Sequence, residues 1–181
     1  MNIQHLKNPK TNLYFEFKSY VLSNNFPWYW HDKAVPFDSL NGEHHNVPFL
    51  SHEFLTRPDA GGSGLRFPKV SSEQAANLSK MLLEILEYNE INLNCFLRIN
   101  ANCVLPNEKI LNTVPHKDHE FPHKNIVIYL TNSGGKIFVD GESHDPEEDD
   151  VVVFDGLEHY VQTPKQAEIS TRRVVLVATF F

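Results

Sequence analysis

Two textures divide the chain. From Leu93 onward, apolar residues come in short runs, many alternating with polar ones, and turn residues punctuate them. Alternation with period two is the signature of a half-buried strand. The runs are Asn92 to Leu105, Lys124 to Leu130, Lys136 to Asp140, Asp150 to Asp155, His159 to Gln162 and Arg172 to Phe181. Gly134-Gly135 and Asp140-Gly141 supply turns between them. Short strands at this spacing predict an all-β sandwich or barrel. Before Leu93 only one segment repeats at helical spacing. Leu78, Met81, Leu82, Ile85 and Leu86 form one apolar face, which predicts a helix over 71–88. Ser71 and Gln74 read as its capping box. The stretch 59–64 reads as a loop. The first 58 residues, rich in aromatics and proline, show no clean period and are expected to wrap the later core with short strands and irregular turns.

In the last strand the parity is specific. Arg173, Val175, Val177 and Thr179 share one face, and Arg172, Val174, Leu176 and Ala178 the other. One arginine can therefore point inward while its neighbour points out. Arg98, Asn100 and Asn102 likewise alternate with Leu97, Ile99, Ala101 and Cys103. That polar face is either a wet side of a sheet or the lining of a substrate pocket.

Composition narrows the class. The chain has 181 residues and is 41% hydrophobic, which predicts a single domain with a real core. Within it, 1–92 is the wrapping segment with its helix, and 93–181 the β core. A net charge of −7 argues against nucleic acid and anionic membrane as partners. Cys95 and Cys103 lie too far apart along one strand to pair, so they read as reduced thiols of a cytoplasmic protein. No signal peptide is expected from the N-terminus, and no apolar run reaches the ~20 residues of a membrane span. The acidic 146–150 stretch reads as a solvated loop.

The densest chemistry is VPHKDHEFPHKN, Val114 to Asn125. His119 to His123 spells H-E-x-x-H, which binds zinc only on a helix. Pro122 inside it, Pro115 upstream and a strand directly after it leave no helix to carry the motif. His119 and His123 therefore read as mouth or surface histidines. His116-Lys117-Asp118 spells H-x-D, and in extended chain residues i and i+2 face one side. His159, after the strand DVVVFDG, offers a third ligand. Two histidines and a carboxylate with open positions form the facial triad of non-haem Fe(II) sites. An arginine opening an apolar strand suits a carboxylate.

Taken together these residues resemble the Fe(II)/2-oxoglutarate-dependent dioxygenases, and within them the prolyl-4-hydroxylase-like branch and oxygenases of cyanophage type. The likeness is carried by FPWYW at 26–30, LRINAN at 97–102, IYLTNSGGKIF at 128–138 and FDGLEHYVQ at 154–162. It implies a mainly β (α+β) double-stranded β-helix, a jelly-roll, cupin-like barrel with the helix outside. It implies Fe(II) on His116, Asp118 and His159, and 2-oxoglutarate as co-substrate held by Arg173, rather than Arg172, with Tyr129. It implies O2-dependent hydroxylation of a C–H bond with release of succinate and CO2, and a small-molecule or peptide substrate contacted by Arg98, Asn100 and Asn102. Two departures stand out. The gap from His159 to Arg173 is long, and 102–106 reads N-C-V-L-P where relatives carry a tyrosine. Two rival readings remain: a cupin-like metal enzyme that uses no 2-oxoacid, and a non-catalytic binding module.

Overall fold

The computed structural model describes residues 2–36, 42–58, 67–165 and 172–181. The 59–64 loop and the middle of the gap before Arg173 lie outside them.

The framework is one large antiparallel sheet. Its strands are β1 (Ile3–Leu6), β2 (Tyr29–His31), β4 (Phe49–Thr56), β5 (Lys69–Val70), β6 (Phe96–Val104), β8 (Lys124–Tyr129), β11 (Val151–Asp155) and β13 (Arg173–Phe180). The order is β1-β11-β8-β13-β6-β4-β2, with β5 beside β4. A smaller layer faces it, made of β9 (Ile137–Val139), β10 (Glu142–His144) and β12 (His159–Val161) in the order β10-β9-β12. The pair β3 (His44–His45) and β7 (Asn112–Thr113) continues that layer through bridges from Asn112 to Gln162 and His116 to His159. The strands form a jelly-roll of two layers, and no closed ring of strand pairing is found among the described residues.

Strand parity sorts the side chains into two cores. On β13, Val174, Leu176, Ala178 and Phe180 face outward, with Ile99, Ala101 and Cys103 of β6 and Ile126 and Ile128 of β8. Against this face pack α1 (Asn12–Leu22) and α2 (Ala75–Tyr88), through Tyr14, Phe17 and Val21 and through Leu78, Met81, Leu82, Ile85 and Leu86. The opposite parity, Val127 and Tyr129, Val152 and Phe154, Val175, packs against Ile137 and Val139 of the smaller layer. Burying each such aliphatic side chain contributes about 1.5–3 kcal/mol, so both faces of the large sheet are covered.

Three expectations need correction. The N-terminal segment is more regular than its sequence suggests. It supplies α1 and the strands at the two ends of the main order, β1 and β2. Ser71 does not cap α2. Gln74 is the N-cap residue, without a side-chain cap bond, and Ser71 instead pairs its hydroxyl with Thr56. The acidic stretch is not simply solvated, because Asp149 is bound by Lys18 and by the Tyr14 hydroxyl of α1. No helix among the described residues is long and apolar enough to cross a membrane. Cys95 is exposed, Cys103 buried, and both are free.

Candidate metal centre and its cavity

His116 and His159 meet as an antiparallel pair. Each backbone N–H donates to the other's carbonyl at 3.0 Å. Directly opposite residues present their side chains on one face, and the two rings lie 4.6 Å apart. Each ring also meets the carbonyl two residues before it, His116 Nδ1 at 3.1 Å from Val114 and His159 Nδ1 at 3.0 Å from Leu157. A carbonyl only accepts, so Nδ1 carries the proton and Nε2 keeps its lone pair for a metal. Asp118 comes to the same point from the H-x-D segment, its Oδ2 3.6 Å from His159 Nε2. The three potential ligand atoms all lie within 4.8 Å of one another.

Charge at this point is balanced from the large sheet. The buried Asp118 carboxylate accepts from Arg98 at 2.8 Å, and its carbonyl accepts from Arg57 at 2.9 Å. Burial alone would raise its pKa. Arg98 and the neighbouring histidines outweigh that and hold it well below the usual carboxylate range. Burial keeps His159 neutral by lowering its pKa, against the pull of Asp118. An ionised carboxylate beside two imidazoles that turn Nδ1 to carbonyls is the donor set a divalent metal needs, and Fe(II) fits it.

The triad opens into a cavity of about 270 Å3 between the two layers. Arg173 lines it, 4% exposed, with its Nε unpartnered. Its guanidinium sits 5.3 Å from the centre of the Tyr129 ring, and the buried Tyr129 hydroxyl also lacks a hydrogen-bond partner. A buried guanidinium with an unpartnered Nε beside a buried hydroxyl fits an anion such as the far carboxylate of 2-oxoglutarate. Arg172 points the other way and donates to the Leu22 carbonyl at the end of α1, 3.1 Å away. Arg98, Asn100 and Asn102 all line the cavity, and Asn100 donates to Asn102.

His119 and His123 are outside the donor set, and no helix spans them. They are buried rather than superficial. His119 Nε2 lies 2.8 Å from the Thr179 hydroxyl, and His123 packs on Gly156 so closely that a Cβ there would fall 2.3 Å from its ring. Several lining residues escaped the sequence reading. Asn125, fully buried with both amide atoms unpartnered, shares inward parity with Val127 and Tyr129. A lone polar residue at that parity of KNIVIYL was the available signal. Phe49, Ser51 and Glu53 line the mouth from β4, and their alternation with Leu50, His52 and Phe54 was equally readable. Arg57, just past β4, carried no such signal.

No protein-family model matches the sequence, and no curated protein matches it. Solved structures do resemble it in fold. The non-haem α-ketoglutarate-dependent epimerase of nogalamycin biosynthesis aligns over 99% of this chain and 77% of its own, with a TM-score of 0.58 and 13% identity. A 2OG-Fe(II) oxygenase family oxidoreductase from Burkholderia pseudomallei aligns over 85% and 72%, with a TM-score of 0.56 and 13% identity. A prolyl hydroxylase from Trichoplax adhaerens, solved with a hypoxia inducible factor peptide fragment, aligns over 99% and 83%, with a TM-score of 0.52 and 10% identity. At such identities the likeness establishes a shared fold.

Proposed function

We propose that this protein is an Fe(II)- and 2-oxoglutarate-dependent dioxygenase that hydroxylates a C–H bond. The observation that carries the reading is the convergence of His116, Asp118 and His159 on a cavity whose lining includes the buried Arg173, its Nε unpartnered. Fe(II) held there with 2-oxoglutarate and O2 supplies the oxidising power, and 2-oxoglutarate leaves as succinate and CO2. The chain's own residues do the rest. His116 and His159 offer Nε2 lone pairs, their Nδ1 protons anchored on carbonyls. Asp118 offers a carboxylate that Arg98 keeps ionised and oriented. Arg173 binds the far carboxylate of 2-oxoglutarate in its planar fork, with the Tyr129 hydroxyl as a second donor. The apolar walls, Val127, Val175 and Phe154 among them, keep water from the reacting carbon. Arg98, Asn100 and Asn102 orient the substrate.

The finer likeness to prolyl-4-hydroxylase-like and phage oxygenases rests on the four sequence segments quoted above. A peptidyl proline, as in the Trichoplax neighbour, is the nearest analogy for substrate. We read residues 1–181 as one oxygenase domain, and the free cysteines fit the cytoplasm.

The test is an anaerobic titration of metal-free protein with Fe(II) and then 2-oxoglutarate, followed by the visible charge-transfer band of the chelate. The band is expected in the native protein. It should vanish in His116→Ala and weaken at least tenfold in apparent affinity in Arg173→Ala. Iron binding without a band would favour a cupin-like enzyme that uses no 2-oxoacid. No metal binding would leave a binding module.

A further inference from the structure

The cavity holds more positive charge than iron and 2-oxoglutarate account for. Arg57, Arg98 and Arg173 line it, against Glu53 and Asp118 as its carboxylates among the described residues. Fe(II) and the 2-oxoglutarate dianion cancel each other. One cation then remains uncompensated among these described groups, in a chain whose overall charge is −7. Charge of the minority sign gathered in a cleft attracts the opposite sign.

The surplus lies at the mouth, around Arg57 and Arg98. Both guanidinium groups lean on one residue, Arg98 on the carboxylate of Asp118 and Arg57 on its carbonyl. A carboxylate that also binds the metal cannot neutralise two arginines. Glu53 draws Arg57 but also accepts from the Thr56 hydroxyl at 3.1 Å. Arg98 Nε is buried without a partner. A charged N–H donor without an acceptor is short of an anion. Beside the arginines His31 stacks on Phe49, ring centres 5.0 Å apart, and both line the cavity as an aromatic pair.

We infer that the substrate is a small organic oxyanion, a carboxylate or phosphate ester, whose acidic group is bound by Arg57 and Arg98 and whose apolar body lies against His31 and Phe49. The inference rests on the proposed iron and 2-oxoglutarate site. It departs from the prolyl analogy, because a peptidyl proline has no charge to offer these arginines.

Calorimetry on the anaerobic Fe(II)·2-oxoglutarate protein tests it with three probes of similar shape: phenylacetate, phenyl phosphate and the neutral phenylacetamide. At least one anion should bind tenfold or more tighter than the amide, and which one does so identifies the acidic group. Arg57→Gln should abolish that preference while the charge-transfer band persists. Glu53→Gln, a change at an exposed residue, should tighten anion binding severalfold and serves if Arg57→Gln does not fold. Amide and anions binding within threefold of each other would overturn the inference. So would loss of the band in Arg57→Gln, which would assign Arg57 to 2-oxoglutarate. If the native protein gives no band, the dioxygenase reading has failed. The anion preference is then measured on Zn(II)-loaded protein, where its presence upholds the cationic site and its absence ends it.

Discussion

His119 lies next to a ligand in sequence, yet it is turned to Thr179 and buried as a neutral ring. Burial, then His123 and Arg98, push its pKa down to about 4 against the attraction of Asp118. The unfolded chain takes up its proton near the ordinary histidine value of about 6.5, so between there and 4 the unfolded state binds more protons. Stability of the metal-free protein should therefore fall with pH at up to about 1.4 kcal/mol per unit from this residue. His159, also lowered by burial, adds in the same direction. Asp118 does not contribute in this window, because its lowered pKa costs stability only in stronger acid. Urea unfolding at pH 7 and pH 5 should differ by about 2 kcal/mol from His119 alone, and His119→Asn should remove that part. An unchanged slope in the variant would assign the pH dependence elsewhere. At this scale the sequence was legible wherever backbone parity decides direction. Alternation put His116 and Asp118 on one side, allowed one of Arg172 and Arg173 to point inward, and gave Arg98, Asn100 and Asn102 a common face, while the choice of Arg173 came from the family resemblance. The burial of His119 and His123 did not follow from alternation, because it depends on Thr179 and Gly156, which lie far along the chain.

At the scale of elements, α2 was readable and α1 was not, for the same reason. The apolar residues of α2 form a stripe, whereas in α1 Leu13, Tyr14, Phe15, Phe17, Tyr20, Val21 and Leu22 ring most of the helix. Phe15, 47% exposed, blurs the polar face that periodicity needs. What starts α1 is Thr11, whose hydroxyl accepts from Tyr14 N and donates to Glu84 on α2, 2.8 Å away. One side chain thus caps one helix and ties it to the other. Thr11→Ala should cost about 1 kcal/mol for the cap. A lower urea midpoint with an unchanged slope would show it, and a midpoint equal to that of the native protein would mean the cap bond contributes nothing. The edge strands were illegible for another reason. Whether β1 pairs with β11, as Ile3 does with Phe154, is decided by residues far away in sequence.

For the whole molecule, the ligands sit on the smaller layer while Arg98 reaches Asp118 from the large sheet and Arg173 and Asn125 line the same cavity from it. A bound metal would tie the H-x-D segment to β12, and binding only the folded state stabilises it. At a hundredfold excess over Kd the gain is about 2.7 kcal/mol, or roughly 5–10 °C in melting temperature for a chain of this size. Calorimetric melting with and without Fe(II) under argon measures it, and His159→Ala should melt at one temperature in both. The register of β13 has a further consequence. Its two arginines are adjacent, so pairing slipped by one residue would still deliver a guanidinium to the cavity, Arg172 in place of Arg173. The arginine end cannot proofread the strand. The other end can, because the slip would turn Phe180 out of the outer core and press the Thr179 hydroxyl into it, away from His119. Fidelity at the co-substrate end of the cavity is thus enforced seven residues away by a phenylalanine that never touches it.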